Sequence, residues 1–222
     1  MNFLSLCTRL RQEAGLSGTG PASVLSQTGE MKRIVDWVSS AYEDIQNLHQ
    51  TWRFLRTAFS FSTIAAVQDY TPASVSLTDF GSWIKNDIRI YSSTSDEDQL
   101  IYSPWEEFRI NYYLGSNRTS SGRPTVFTVK PSNAIALWAI PDAVYTVNGE
   151  YYKTAQTMSA NADSPLLPTR FHMIIVWKGL MHYGAYAGAD EKYAHGNNEY
   201  KKLLSMLEFD QLEDTTYGEP LA

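Results

Sequence analysis

The apolar positions divide this chain into two ends with a helical period and a middle with a strand period. From Glu30 to Leu55 (EMKRIVDWVSSAYEDIQNLHQTWRFL), Ile34, Val38, Ala41, Ile45, Leu48 and Trp52 recur at steps of four and three, one stripe of a 3.6-residue helix. Thr28 stands where an N-cap belongs, and Glu30 sets a negative charge at the positive end of the helix dipole. The pattern predicts one unbroken helix over residues 30–56, a rod of about 39 Å around which shorter elements pack. Val35, Trp37 and Tyr42 lie off the main stripe and are the expected contact with a second subunit. Residues 2–14 form a shorter amphipathic helix carrying Phe3, Leu6 and Leu10, ended by Gly15. The Gly- and Ser-rich stretch that follows is a loop.

After Arg56 the period drops to two. Alternation begins at Ala58 and returns in Ile84–Tyr91, Thr125–Lys130, Ile135–Ile140 and Val144–Tyr152, separated by turn-forming clusters. The last two runs, joined at Pro141-Asp142, read as neighbouring strands of a meander. Pro104–Tyr113 interrupts the strands with a proline start and two early acids, the signature of a short helix. Polar residues 155–167 then lead out of the strand region. Helical spacing resumes over 168–187, where Phe171, Ile174, Ile175, Trp177, Leu180 and Met181 fill most of the circumference and predict burial on several sides. Gly179, Gly184 and Gly188 in that run imply close approach to another backbone. A last helix covers 190–209, with Gly196 as an expected kink. The fold class is therefore α+β: a helical body from residues 1–56 and 161–209, an inserted antiparallel β-rich domain over 57–160, and an extended acidic C-terminal arm over 210–222. The arm has no basic residue, and Leu212, Tyr217 and Leu221, with Phe209 just before it, are its apolar anchors.

Composition narrows the function more by exclusion than by assignment. With 222 residues, 43% of them hydrophobic, the chain can bury a substantial core. No apolar run reaches the ~18 residues of a membrane span, and charges at Arg9, Arg11 and Glu13 do not suit a secretory leader, so synthesis in a cytoplasm is expected. A net charge of −6 argues against a broad grip on phosphates. The single cysteine, Cys7, sits among apolar residues and reads as a buried packing thiol.

Catalytic and metal-binding patterns are lacking. His49, His172, His182 and His195 do not share the three-to-five-residue spacing of helix-borne ligands. Glu106 and Glu107 neighbour Trp105 and Tyr112 as in a sugar site, but adjacent helical residues point about 100° apart and cannot flank one bond. Asp96, Glu97 and Asp98 lack the alternation and glycine of a calcium loop and read as a solvated turn. No catalytic residue, cofactor or metal is predicted.

Four stretches carry a family resemblance: QTGEMKRIVDWVSSAYEDIQNLHQTWRFLR, PWEEFR, GRPTVFTVKPSNAIALWAIPDAVYTVNGEYYKT and PTRFHMIIVWKGLMHYGAYAGADEKYAHGNNEYKKLL. Together they make the chain, over roughly residues 2–210, resemble the head-to-tail adaptor (connector) proteins of tailed double-stranded DNA bacteriophages. The resemblance implies a structural virion protein without enzymatic activity, located at the head–tail junction. It implies a ring, usually of twelve copies, that docks under the portal protein, extends the DNA channel and presents a surface to the tail or nozzle. Double-stranded DNA would pass through without sequence-specific binding, which the net negative charge suits. Phe209, Leu212, Tyr217 and Leu221 are the expected portal contacts. A carbohydrate- or receptor-binding module is the alternative, using Trp83, Tyr91, Tyr102 and Trp105 as an exposed aromatic row.

Overall fold

A computed structural model describes residues 1–212, which fall into two compact units: Met1–Leu55 with the described residues from Ala155 onward, and Arg56–Thr154. Five α-helices are present among these residues: α1 (Phe3–Ala14), α2 (Gly29–Asn47), α3 (Trp105–Phe108), α4 (Met173–Ala187) and α5 (Asp190–Gln211). The strands are β1 (Arg56–Ser62), β2 (Asp69–Tyr70), β3 (Phe80–Trp83), β4 (Arg89–Tyr91), β5 (Asp98–Gln99), β6 (Ile101–Tyr102), β7 (Ser121–Gly122), β8 (Val126–Val129), β9 (Ile135–Trp138), β10 (Ile140–Pro141) and β11 (Thr146–Lys153). The fold is α+β, and the arm beyond residue 212 lies outside the described residues.

In the helical unit the centre is α4, which packs against α1, α2 and α5. Its glycines explain how. A Cβ at Gly179 would stand 3.0 Å from Cδ2 of Leu10 on α1, and one at Gly184 only 2.7 Å from the backbone nitrogen of Tyr193 on α5. The fit is reciprocal, since a Cβ at Gly196 of α5 would meet the carbonyl of Trp177 on α4 at 2.9 Å. Gly196 therefore marks a contact and not a kink, and α5 runs through it unbroken to Gln211. Gly188 ends α4 in the left-handed conformation at φ 64°.

The long helix expected over 30–56 stops at Asn47, giving 19 residues and about 28 Å. Leu48, placed on its stripe by spacing, is 48% exposed. Trp52 is fully buried but reaches its place by folding back: its indole N–H lies 3.2 Å from the carbonyls of both Ile45 and Gln46. The ring thus donates to carbonyls of the helix's last turn, of which that of Ile45 also accepts the Leu48 N–H at 3.4 Å. A short 3-10 turn, Arg53–Leu55, then leads into β1 at Arg56.

The exit stretch from Ala155 groups with the helices because α2 holds it. Gln46 donates to the Gln156 carbonyl at 3.0 Å and accepts the Gln156 N–H at 2.8 Å. The Tyr42 hydroxyl donates to Oε1 of Gln156 at 2.7 Å and accepts the Leu166 N–H at 2.8 Å.

The β unit is built in layers. One sheet has the order β1-β11-β4-β5 with β3 also on β11, a second has the order β2-β9-β8-β6, and β7 pairs with β10 separately. Pairing is antiparallel except for β6 with β8 and β7 with β10. Phe59, Trp83, Ile90, Val147 and Tyr151 of the first sheet share a core with Phe127, Ile135 and Leu137 of the second. On the far side of the second sheet, Val126 and Ala136 pack with Phe108 of α3. β9 is consequently buried on both faces. This overturns the meander: β9 and β11 belong to different sheets, and the Pro141 corner carries the chain from one layer to the other.

Of the strand expected over Ile84–Tyr91 only Arg89–Tyr91, β4, is extended in a sheet, and β3 ends before it at Trp83; both pair with β11. The break lies near Gly149, where a Cβ would meet Phe59 at 3.0 Å and Ile88 at 3.1 Å. The missing side chain is what lets Ile88 turn inward. The segment Pro104–Tyr113 is helical, as one turn of α3 followed by a π turn over Arg109–Tyr113. Lys130 secures it, with Nζ 2.7 Å from Asp69 Oδ2, 3.1 Å from the Tyr113 hydroxyl and 4.2 Å from the centre of the Tyr113 ring.

Candidate interaction surfaces

The residues with catalytic potential are dispersed, and Nε2 of His182 is buried without a hydrogen-bond partner. His172 is 5% exposed, with Nε2 3.0 Å from the Leu167 carbonyl, and burial holds its pKa below the ordinary value. His182 is also lowered, by burial and then by Lys178, with Asp44 3.7 Å away opposing. His49 pairs with Glu208 at 3.0 Å, and His195 meets the Trp177 ring edge-on at 5.2 Å. Cys7 is buried in full, and desolvation pushes its thiol up to about 12. Glu106 and Glu107 are exposed on α3. Among the described residues no three His, Cys, Asp or Glu side chains converge as a metal site, and no helix is long and apolar enough to cross a membrane.

The acidic turn is more than solvated surface. Asp96 accepts from Ser92 and Ser93, and Arg123 bridges it at 3.2 Å and Asp98 at 3.1 Å. The Ser92 hydroxyl, the backbone of Ser93 and the Arg123 charge bring the Asp96 carboxyl down to about 2. These contacts fasten the loop to the strand region.

The aromatic row of the alternative reading is not formed. Trp83 is 6% exposed, packed against Phe80 at 4.5 Å and Phe59 at 4.8 Å, and its indole donates to the Asn133 carbonyl at 2.8 Å. Tyr91, Tyr102 and Trp105 are half-buried; Tyr102 leans on Phe127 at 5.4 Å and Trp105 on Tyr113 at 5.6 Å. Alternation alone could not show that Trp83 points into the shared core.

Large rings do reach the surface in the helical unit, at the two ends of α4. At its C-terminal end, Trp37 of α2 lies 5.5 Å from Tyr186 and 6.0 Å from Tyr183, and the Arg33 guanidinium sits 4.3 Å over the Tyr186 ring. Tyr186 is 59% exposed. Of the predicted subunit contacts, Trp37 belongs to this ledge, while Val35 is half-buried on α2 two residues away, about 200° around the helix. Tyr42 does not belong to the ledge: it is fully buried under the exit stretch and offers nothing to a neighbour.

At the other end of α4, Arg170, Phe171, Ser205, Met206, Phe209 and Asp210 line a surface groove of about 420 Å³. Phe209 is 86% exposed and Met206, one turn earlier on α5, 53%. Arg170 stacks on Phe171 at 4.8 Å and pairs with Asp210, which lowers the Asp210 pKa. Phe209, expected at the end of the last helix as an anchor beside the arm, is a helical residue at this groove. Leu212 is the first residue past α5, half-buried, its N–H bonded to the Glu208 carbonyl at 2.9 Å. Tyr217 and Leu221 lie outside the described residues. Sequence reasoning missed the partners Phe171 and Met206, which no local pattern connects.

Comparison with known proteins gives one family. The model of the family described as SU10 adaptor protein matches residues 1–222. No curated protein matches the chain. With its whole length covered, the chain belongs to the SU10 adaptor proteins, phage head-to-tail adaptors that join other components of the virion.

Proposed function

We propose that this adaptor assembles, in twelve copies, into a closed ring beneath the portal protein, extends the DNA channel and provides the docking surface for the tail or nozzle. The observation that carries the reading is the placement of the two exposed aromatic surfaces at opposite ends of α4, about 20 Å apart along its axis. A ring closes through two different surfaces on each copy, and tryptophan, tyrosine and arginine dominate the energetics of such contacts. The ledge around Trp37 and Tyr186 is the subunit contact, and Phe209 and Leu212, continued by Tyr217 and Leu221, meet the portal. The β unit supplies the tail-side surface, where Ile110 is 70% exposed and Leu114 46%. Its role is structural, with no catalytic step. A net charge of −6 favours free passage of DNA over adhesion.

Electron microscopy of the chain mixed with purified portal complex tests this. A symmetric ring below the portal is the expected image. Portal particles without added density, at saturating adaptor, would refute the reading.

A further inference from the structure

We propose that, before any partner is met, the groove beside Phe209 is occupied by the chain's own last ten residues, Glu213–Ala222. The surface to be covered is apolar and sizeable for one chain: Phe209 and Met206 project from the last turns of α5 beside Phe171, and the groove holds about 420 Å³. Two guanidiniums stand near its rim: Arg170 pairs with the Asp210 carboxylate and Arg53 donates to the Asp210 backbone carbonyl at 3.4 Å, while the nearby Glu208 pairs with His49. The segment that begins at the lip of this groove has the matching chemistry, with Glu213, Asp214 and Glu219, no base, and Tyr217 and Leu221 as apolar groups.

Tethering decides between this occupant and a second copy. Tyr217 stands five residues beyond Leu212, a reach of at most about 17 Å, and Leu212 is itself within a turn of Phe209. A tether this short gives an effective concentration on the order of millimolar, far above that of free copies in a micromolar solution. Tail and groove belong to the portal-facing surface proposed above, and on that reading portal binding would exchange one occupant for another.

The test uses the full chain alone, with a photo-crosslinking benzoylphenylalanine in place of Tyr217. The expected result is adducts to peptides carrying Arg170–Phe171 or Met206–Phe209 of the same chain, at a yield constant across protein concentration. Phe209→Asp should abolish them without altering the helical circular dichroism. A chain ending at Leu212 should raise the fluorescence of an apolar dye severalfold, and a synthetic peptide of residues 213–222 should reverse the rise. Adducts only between copies, growing with concentration, would overturn the proposal in favour of a second copy. Adducts scattered as widely as those of a scrambled tail would overturn it outright. Neither assay contains portal, so the ring can fail while the groove is filled, and the reverse.

Discussion

The β unit buries its large rings against one another, whereas the helical unit joins α4 to α5 through glycines and leaves Trp37, Tyr186 and Phe209 at its surface. In the former, Phe59, Trp83, Phe80 and Tyr151 form one continuous cluster between layers. In the latter, the crossing is set by backbone approach at Gly184 and Gly196, which needs no ring to fill it. The helical unit buries rings as well, Trp52 and Tyr42 among them, but its tightest helix crossing does not depend on one.

The sharpest test of that contrast is Trp83→Ala, which removes a buried ring and leaves the Asn133 carbonyl unpaired; a loss of about 3–5 kcal/mol is expected. Urea unfolding followed by near-ultraviolet circular dichroism measures it. A loss below about 1 kcal/mol would mean that the aromatic cluster is not what holds the layers together. Next comes a pair of glycines. Gly184→Ala should cost about 2–3 kcal/mol, because its Cβ meets the Tyr193 backbone at 2.7 Å and two helices must separate. Gly149→Ala should cost less, about 1 kcal/mol, since its contacts at 3.0–3.1 Å are side-chain atoms of Phe59 and Ile88 that can turn aside. Equal losses would remove the distinction between backbone and side-chain packing.

A smaller effect follows from the histidines of the helical unit. His172 and His182 both titrate below the ordinary 6.5, chiefly because burial disfavours the charged ring. As pH falls through about 6.5 the unfolded chain takes up protons first, so stability should decline below that pH and be level above it. The urea midpoint of His182→Gln should decline less between pH 7 and pH 5 than that of the parent chain; an equal decline would mean that the buried ring is not what lowers stability.

Much of this architecture was legible in the sequence, and the exceptions have physical causes. The helical ends, the strand-rich middle and the short helix after Pro104 follow from period and punctuation alone. The end of α2 was hidden because Trp52 lies seven residues from Ile45, two helical turns by count, while it reaches that spot through a turn without Gly or Pro to betray it. The Pro141 corner looks like a hairpin because a turn motif does not say which sheet receives the next strand. Tyr42 seemed outward because it is off the stripe, and only the return of residues 156–166 over α2 makes its side inward. The glycines were readable as close approaches, though not which backbone approached. Of the surface, Trp37 and Phe209 could be singled out as apolar rings, but their neighbours Tyr186, Phe171 and Met206 come from distant elements that spacing cannot connect.

The smallest expected effect on folding, and the most informative about function, belongs to Tyr186→Ala. The ring is 59% exposed and its cation–π contact with Arg33 is of the surface kind, so its loss should cost under about 1 kcal/mol of stability. If the ledge is where copies meet, the same truncation should weaken their association by about 2 kcal/mol or more, roughly thirtyfold, since ring truncations at interface centres are far costlier than their exposure in the free chain suggests. Urea unfolding of the free chain and titration of ring occupancy on the portal read the two quantities separately. A variant as stable as its parent that no longer assembles would place the ledge between copies. One that assembles normally would leave Trp37 and Tyr186 as ordinary packing of α2 on α4, and the contrast between the two units would then be one of packing style alone.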